Sequence, residues 1–184
     1  MKATEILMAE HRIIEGVLDA LDEGAKRLDT GAHVPNDFFL GAAEFIRGFA
    51  DDCHHRKEEG VLFKALVRHG FPEHEGPVGM MLAEHAEGRR LTQELLAAAL
   101  RLQEGDPGAA ATIARNARAY AALMRQHIQK EDRVLYVMAE QAIPPDEQDG
   151  MAVEFERVER EEAGRGVHEK FMALAAYLGR AMGT

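Results

Sequence analysis

Apolar residues recur at alternating steps of four and three along roughly twenty-residue stretches, and that period dictates helices packed side by side in a bundle. Over about residues 3 to 29 the seam reads Leu7, His11, Ile14, Leu18, Leu21, Ala25 and Leu28. A second helix is predicted from Asn36 or Asp37 to about His69, with Phe39, Ala42, Ile46, Ala50 and then His54 on its inner face. A third, from about Pro77 to Gln103, holds Val78, Met81, Leu82, His85, Leu95, Leu96, Ala99 and Leu102. The fourth is predicted to start with Asp106 as N-cap and Pro107 at its first position. It carries Ile113, Ala117, Tyr120, Met124, His127, Glu131, Val134 and Met138. Each seam therefore places histidine where a bundle expects an apolar side chain.

The breaks between these patterns are short: Gly31 and Pro35, Gly70 and Pro72, the stretch EGDPG, and IPPD. Short connections join antiparallel neighbours. The expected fold is all-α, an antiparallel up-down-up-down four-helix bundle over residues 1–142. Residues 143–184 are expected to add accessory helices, broken near Gly164 and Gly166 and packed on the same domain. Strand-like alternation of useful length is missing, and the low aromatic share of 6%, without tryptophan, agrees with helices.

The formal charge of −10 disfavours nucleic acid and anionic membrane surfaces, which would repel the chain. Cys53 is the single cysteine, so the chain forms no internal disulfide, and its expected role is that of a small core residue. The N-terminal stretch carries acidic and histidine residues within its apolar run, unlike a signal peptide, and no segment approaches the length of a membrane span. A cytoplasmic protein is the expectation.

Two stretches repeat: HHRKEEGVLF at 54 to 63 and HIQKEDRVLY at 127 to 136. Aligned without gaps, His54 meets His127, Lys57 meets Lys130, and Glu58 meets Glu131. Glu59 meets Asp132, and Phe63 meets Tyr136. The repeat selects His54 with Glu58, rather than His55 with Glu59, as the pair one helical turn apart that can share a cation. His55 aligns with Ile128, so His55→Ala is expected to leave metal binding unchanged.

In an antiparallel bundle the starts of helices one and three lie level with the ends of two and four. His11 and His85 stand about 12 Å from their helix starts; His54, Glu58, His127 and Glu131 stand roughly 16 to 22 Å from their helix ends. All six can meet at one level. Buried there without a cation, four histidines and two carboxylates would have few partners for their charges and donors. Imidazole and carboxylate donors without thiolate suit iron, manganese or zinc, and two carboxylates that can bridge suggest two ions.

On these residues the chain resembles the hemerythrin-like family, also called the HHE cation-binding domain. The resemblance spans roughly residues 3 to 142. It rests on His11 in EHRII, H-x-x-x-E at His54 to Glu58, His85 in AEHAEGR, and H-x-x-x-E at His127 to Glu131. It implies two non-heme iron ions joined by an oxo or hydroxo bridge, with Glu58 and Glu131 bridging and the histidines terminal. It also implies dioxygen, nitric oxide or peroxide as the partner. The chain departs from the oxygen-carrying pattern at Met81, where a second histidine one turn before His85 is expected; His55, Glu59, His168 or water is left to fill that place. His33, His69 and His74 are expected in solvent-facing loops.

Dioxygen binding or sensing by a di-iron protein is the leading expectation, with Leu7, Ile14, Ile46, Val61, Leu62, Met81, Met124 and Val134 as candidate lining. The alternatives are a peroxide- or oxygen-consuming di-iron enzyme, an iron-storage or repair protein, and an interaction module with a structural metal. A ferritin-like site needs E-x-x-H on two helices, and only Asp51 with His54 mimics that spacing.

Overall fold

The computed structural model describes residues 2–160 and 167–184, all side chains but that of Val167 among them. Among these residues the regular structure is helical, with no strand. Helix α1 spans Ala3–Thr30 and ends on Gly31, whose φ of 70° suits the left-handed cap that glycine adopts without penalty. Helix α2 (Phe38–Phe45) runs on through π-helical segments at Ile46–His55 and Glu58–Leu62 into α3 (Phe63–Arg68). Helix α4 covers Gly76–Gln103, with proline in its first turn as predicted. Helix α5 (Ala109–Lys130) passes through a third π-helical segment, Glu131–Leu135, into α6 (Tyr136–Ala142).

Helix α5 starts later than the sequence suggested. Asp106 accepts the Gly108 N–H at 2.9 Å, so Pro107 and Gly108 form a turn ahead of the helix. At α2, the carboxylate of Asp37 takes the Tyr177 hydroxyl at 2.9 Å and makes no cap bond.

The π-helical segments correct the predicted seam. A π turn accommodates one more residue than an α turn, so the buried face moves along by one position. Beyond Glu131 the inward residues are Leu135, Tyr136 and Ala139, whereas Val134 is 51% exposed. Val134 therefore does not line the interior, and Val61 is only half-buried.

Two apolar cores result. The larger contains Leu18, Leu21, Phe38, Phe45, Phe49, Leu95, Ile113 and Tyr120. The smaller contains Leu7, Leu62, Phe63, Leu66, Val78, Met81, Leu135 and Tyr136. Along each long helix the histidines fall between residues of one core and residues of the other: His11 between Leu7 and Ile14, His127 between Met124 and Leu135.

The tail joins both cores. Helix α7 (Pro145–Val158) supplies Met151 and Phe155 to the smaller one. Gln148 donates to the Ile143 carbonyl at 2.7 Å, satisfying a backbone acceptor just past the end of α6. Helix α8 (Val167–Met182) supplies Phe171, Leu178 and Met182 to the larger core. Gly48 permits this contact, because a Cβ there would stand 2.0 Å from the Phe171 ring. The predicted break at Gly164 and Gly166 lies outside the described residues. No described helix is long and apolar enough to cross a membrane.

Candidate metal centre

All six side chains predicted from the repeat and the seams converge, each at most 1% exposed. Glu58 Oε2 lies 3.3 Å from His85 Nε2 and 3.8 Å from His54 Nε2. Glu131 Oε2 lies 3.3 Å from His11 Nε2 and 3.2 Å from His127 Nε2. Each carboxylate thus stands between histidines of two different helices. His85 Nε2 and His127 Nε2 approach to 3.1 Å.

A seventh residue, His55, joins them: the repeat gave it no counterpart, but it is one of the groups left open for the place at Met81, and the structure brings it to the same interior group. Its ring stacks on His85 with centroids 3.9 Å apart and is buried. Adjacent residues of an α-helix point about 100° apart, too far for both to face one centre. Here His54 and His55 close one π-helical segment and Glu58 opens the next, and the wider turns bring both rings to the interior. The ligating atoms form two overlapping groups: His55, His85, His127 and Glu58; and His11, His54, Glu58 and Glu131. Glu58 belongs to both.

Met81 is a buried apolar residue of the smaller core, and of the side chains left to fill its place His55 is the one that joins the interior group. Glu59 does not reach the interior group, since it accepts from His85 Nδ1 at 2.7 Å. His168 is exposed, with its ring 6.0 Å from that of Phe49. His33, His69 and His74 are exposed, as expected.

The orientation of the five imidazoles follows one rule. Each Nδ1 meets a carboxylate: His11 with Asp132 at 2.7 Å, His54 with Glu10 at 2.8 Å, His55 with Asp51 at 2.9 Å, His85 with Glu59 at 2.7 Å, and His127 with Glu84 at 2.9 Å. An Nδ1–H donated outward fixes the tautomer and leaves Nε2 as the inward lone pair. The carboxylates are themselves held by cations. Arg12 binds Asp132, Lys57 binds Glu10, and Lys130 binds Glu84. Arg89 binds Glu59 at 2.6 Å and lies 3.7 Å from Asp51.

Apart from Glu59, weighed as a ligand in its own right, none of these outer groups was singled out from the sequence as a partner of the centre. The signal was present: Glu10 precedes His11 as Glu84 precedes His85, and Lys57 and Lys130 match in the repeat. The structure uses them alike, with each glutamate serving both the histidine and the lysine of the next long helix. Among the differences between the two stretches, two fall on buried side chains beside the centre. His55 replaces Ile128, and Tyr136 replaces Phe63. The Tyr136 hydroxyl donates to Glu58 Oε1 at 2.6 Å, and its ring stacks on His11 just as Phe63 stacks on His85.

Electrostatics show what the protein alone does with this charge. Burial disfavours protonated His11, yet Asp132 and Glu131 outweigh it and raise its pKa to about 9. His127 is likewise opposed by burial but raised to about 10, chiefly by Glu131 and then Glu84. His55 is pushed well down, by burial first and then by the neighbouring His85. Glu58 is held well below the usual carboxylate range, because His54 and His85 overcome its burial. Protons on imidazole therefore offset the buried carboxylates only in part. Four wholly buried atoms at the centre, His54 Nε2, Glu58 Oε2, and Glu131 Oε1 and Oε2, have no hydrogen-bond partner. Unpaired acceptors in a dry interior are costly, and a cation satisfies all four together. The donor set fits a metal.

A third grouping, Glu10, Cys53 and Glu159, surrounds the ammonium of Lys57 and so already holds a cation of the chain's own. Burial raises the Cys53 thiol to about 11, which keeps it protonated.

Fold and site together define a helical protein with an interior cation-binding centre of histidine and carboxylate. The sequence model of the Hemerythrin HHE cation binding domain matches residues 2–139, and the chain belongs to that family. Helices α7 and α8 lie beyond the match. The chain is 28% identical over 181 residues to uncharacterized protein Mb2018 of Mycobacterium bovis and to uncharacterized protein Rv1995 of Mycobacterium tuberculosis. The similarity covers 98% of this chain and 70% of each relative. No solved structure matches the chain significantly.

Proposed function

We propose that the centre holds two iron ions and that the protein binds or senses dioxygen or a related small oxidant. One ion would take His55, His85 and His127, the other His11 and His54, with Glu58 and Glu131 bridging on an antiparallel four-helix frame. The observation that carries this reading is the common aim of five Nε2 atoms at two carboxylates whose inner oxygens lack partners. Nitrogen and oxygen donors without thiolate exclude the soft-metal sites, and family membership favours iron among the ions that remain.

The uneven histidine count supports a role in ligand binding. Three imidazoles would serve one position and two the other, so with both carboxylates bridging the second would have fewer nitrogen donors and more of its coordination left to an exogenous ligand. Tyr136 stands at that side, 3.4 Å from His11 Nε2, where its hydroxyl holds Glu58 and offers a polar contact in an otherwise apolar wall. Burial of every group restricts entry to small molecules. Iron would supply reversible electron transfer at this position, while the chain supplies donor orientation through the five outer carboxylates and excludes water.

The test is metal analysis with optical spectra of the reduced protein, recorded anaerobically and after dioxygen is admitted. Two irons per chain and a new visible band support the proposal. Reversal of that band on removing the gas indicates carriage, and its persistence indicates sensing or turnover. Bound iron with a spectrum indifferent to dioxygen, nitric oxide and peroxide would leave only a structural metal and refute the proposal.

A further inference from the structure

The repeat gives each half of the centre a lysine, and the two lysines have different surroundings. Lys130 binds Glu84, has no second carboxylate among the described residues, and is 36% exposed. Lys57 is wholly buried and lies between two carboxylates, Glu10 and Glu159. Glu10 is the acceptor for His54 Nδ1. Glu159 directly follows α7, outside the matched family region. A continuous polar chain therefore runs from the centre through His54, Glu10 and Lys57 to the tail.

We propose that Glu159 is a positioning residue of the metal centre, by which the C-terminal tail strengthens His54 as a ligand. This rests on the metal reading above. A lysine devoted to Glu10 alone would neutralise that carboxylate more fully and weaken its pull on the His54 Nδ1–H. Sharing Lys57 with Glu159 leaves Glu10 more negative, so His54 Nε2 becomes a stronger donor. Lys130 and His127 lack this support, so the tail acts on one half of the centre, the half with two histidines.

The experiment follows removal of iron from the loaded full-length protein by a chelator in excess. Glu159→Gln is expected to speed release of one of the two irons about tenfold, the lower end of what outer partners of ligands contribute. Glu159→Asp, which keeps the charge, restores most of the retention, and Glu154→Gln on the surface of α7 leaves the rate unchanged. The discriminating measurement is the double change. With Glu10→Gln the chain to His54 is cut, so adding Glu159→Gln should alter the rate less than about twofold. A residue that merely pins the tail would act equally in both backgrounds. Release from Glu159→Gln at the wild-type rate, or an equal multiplication with and without Glu10, overturns the proposal while leaving the metal reading intact. Wild-type protein that takes up no iron overturns both.

Discussion

His55→Ile copies into the first half of the repeat the residue that the second half has at Ile128. It replaces a buried imidazole with an apolar side chain of comparable bulk, so the fold loses little packing. The metal position formed with His85 and His127 loses one of its three nitrogen donors. Loss of a partner behind a ligand costs about 10- to 100-fold in affinity, and loss of the ligand itself should exceed that range. The expected weakening is at least about 100-fold, or about 2.8 kcal/mol. Asp51 loses its imidazole contact but keeps Arg89 at 3.7 Å, which limits the damage outside the centre. Iron titration against a competing chelator should then show one ion bound with near wild-type affinity and the second weakened. His33→Ala, at an exposed loop residue, serves as the control. Two ions held with unchanged affinity by His55→Ile would refute the argument and restore the sequence reading, in which His55 stands outside the site.

Tyr136→Phe removes the hydroxyl that Glu58 Oε1 accepts at 2.6 Å, and metal-free protein should lose about 1–3 kcal/mol in denaturant unfolding, with iron still bound at two per chain. Gly48→Ala drives a methyl into the Phe171 ring and should cost about 1–3 kcal/mol, with α8 the first segment to gain hydrogen-exchange lability. In metal-free protein the folded-state pKa values of His11 and His127, about 9 and about 10, lie above the ordinary 6.5. Their stabilisation is complete below pH 6.5 and disappears as pH rises through 9 to 10, so the metal-free Tm should fall across that window. The iron-loaded Tm should not follow it, and metal uptake near neutral pH should release protons measurable by pH-stat.

The four long helices and the six predicted side chains were legible because each depends on local period and on a repeat visible in one dimension. His11 and His85 could be placed by height alone. His55 was open as a candidate for the place at Met81, but the repeat argued against it, because an α-helical frame turns it away from His54, and only the π-helical segment brings the two together. The same widening explains Val134, predicted inside and found outside, with Leu135 in its place. Glu10, Glu84 and Asp132 escaped notice because their histidine partners sit on other helices, and a residue such as Glu84 reads by itself as part of a solvated face. His168, one of the options for the place at Met81, is kept from the interior for a tertiary reason: α8 packs against the larger core and leaves this residue exposed beside Phe49.

The most direct test is a crystal structure of protein loaded with ferrous iron, with anomalous difference maps measured on both sides of the iron edge. Two peaks are predicted between Glu58 and Glu131, one contacted by His55, His85 and His127 and the other by His11 and His54. An interior without anomalous density, or iron bound only at surface carboxylates, would contradict the account.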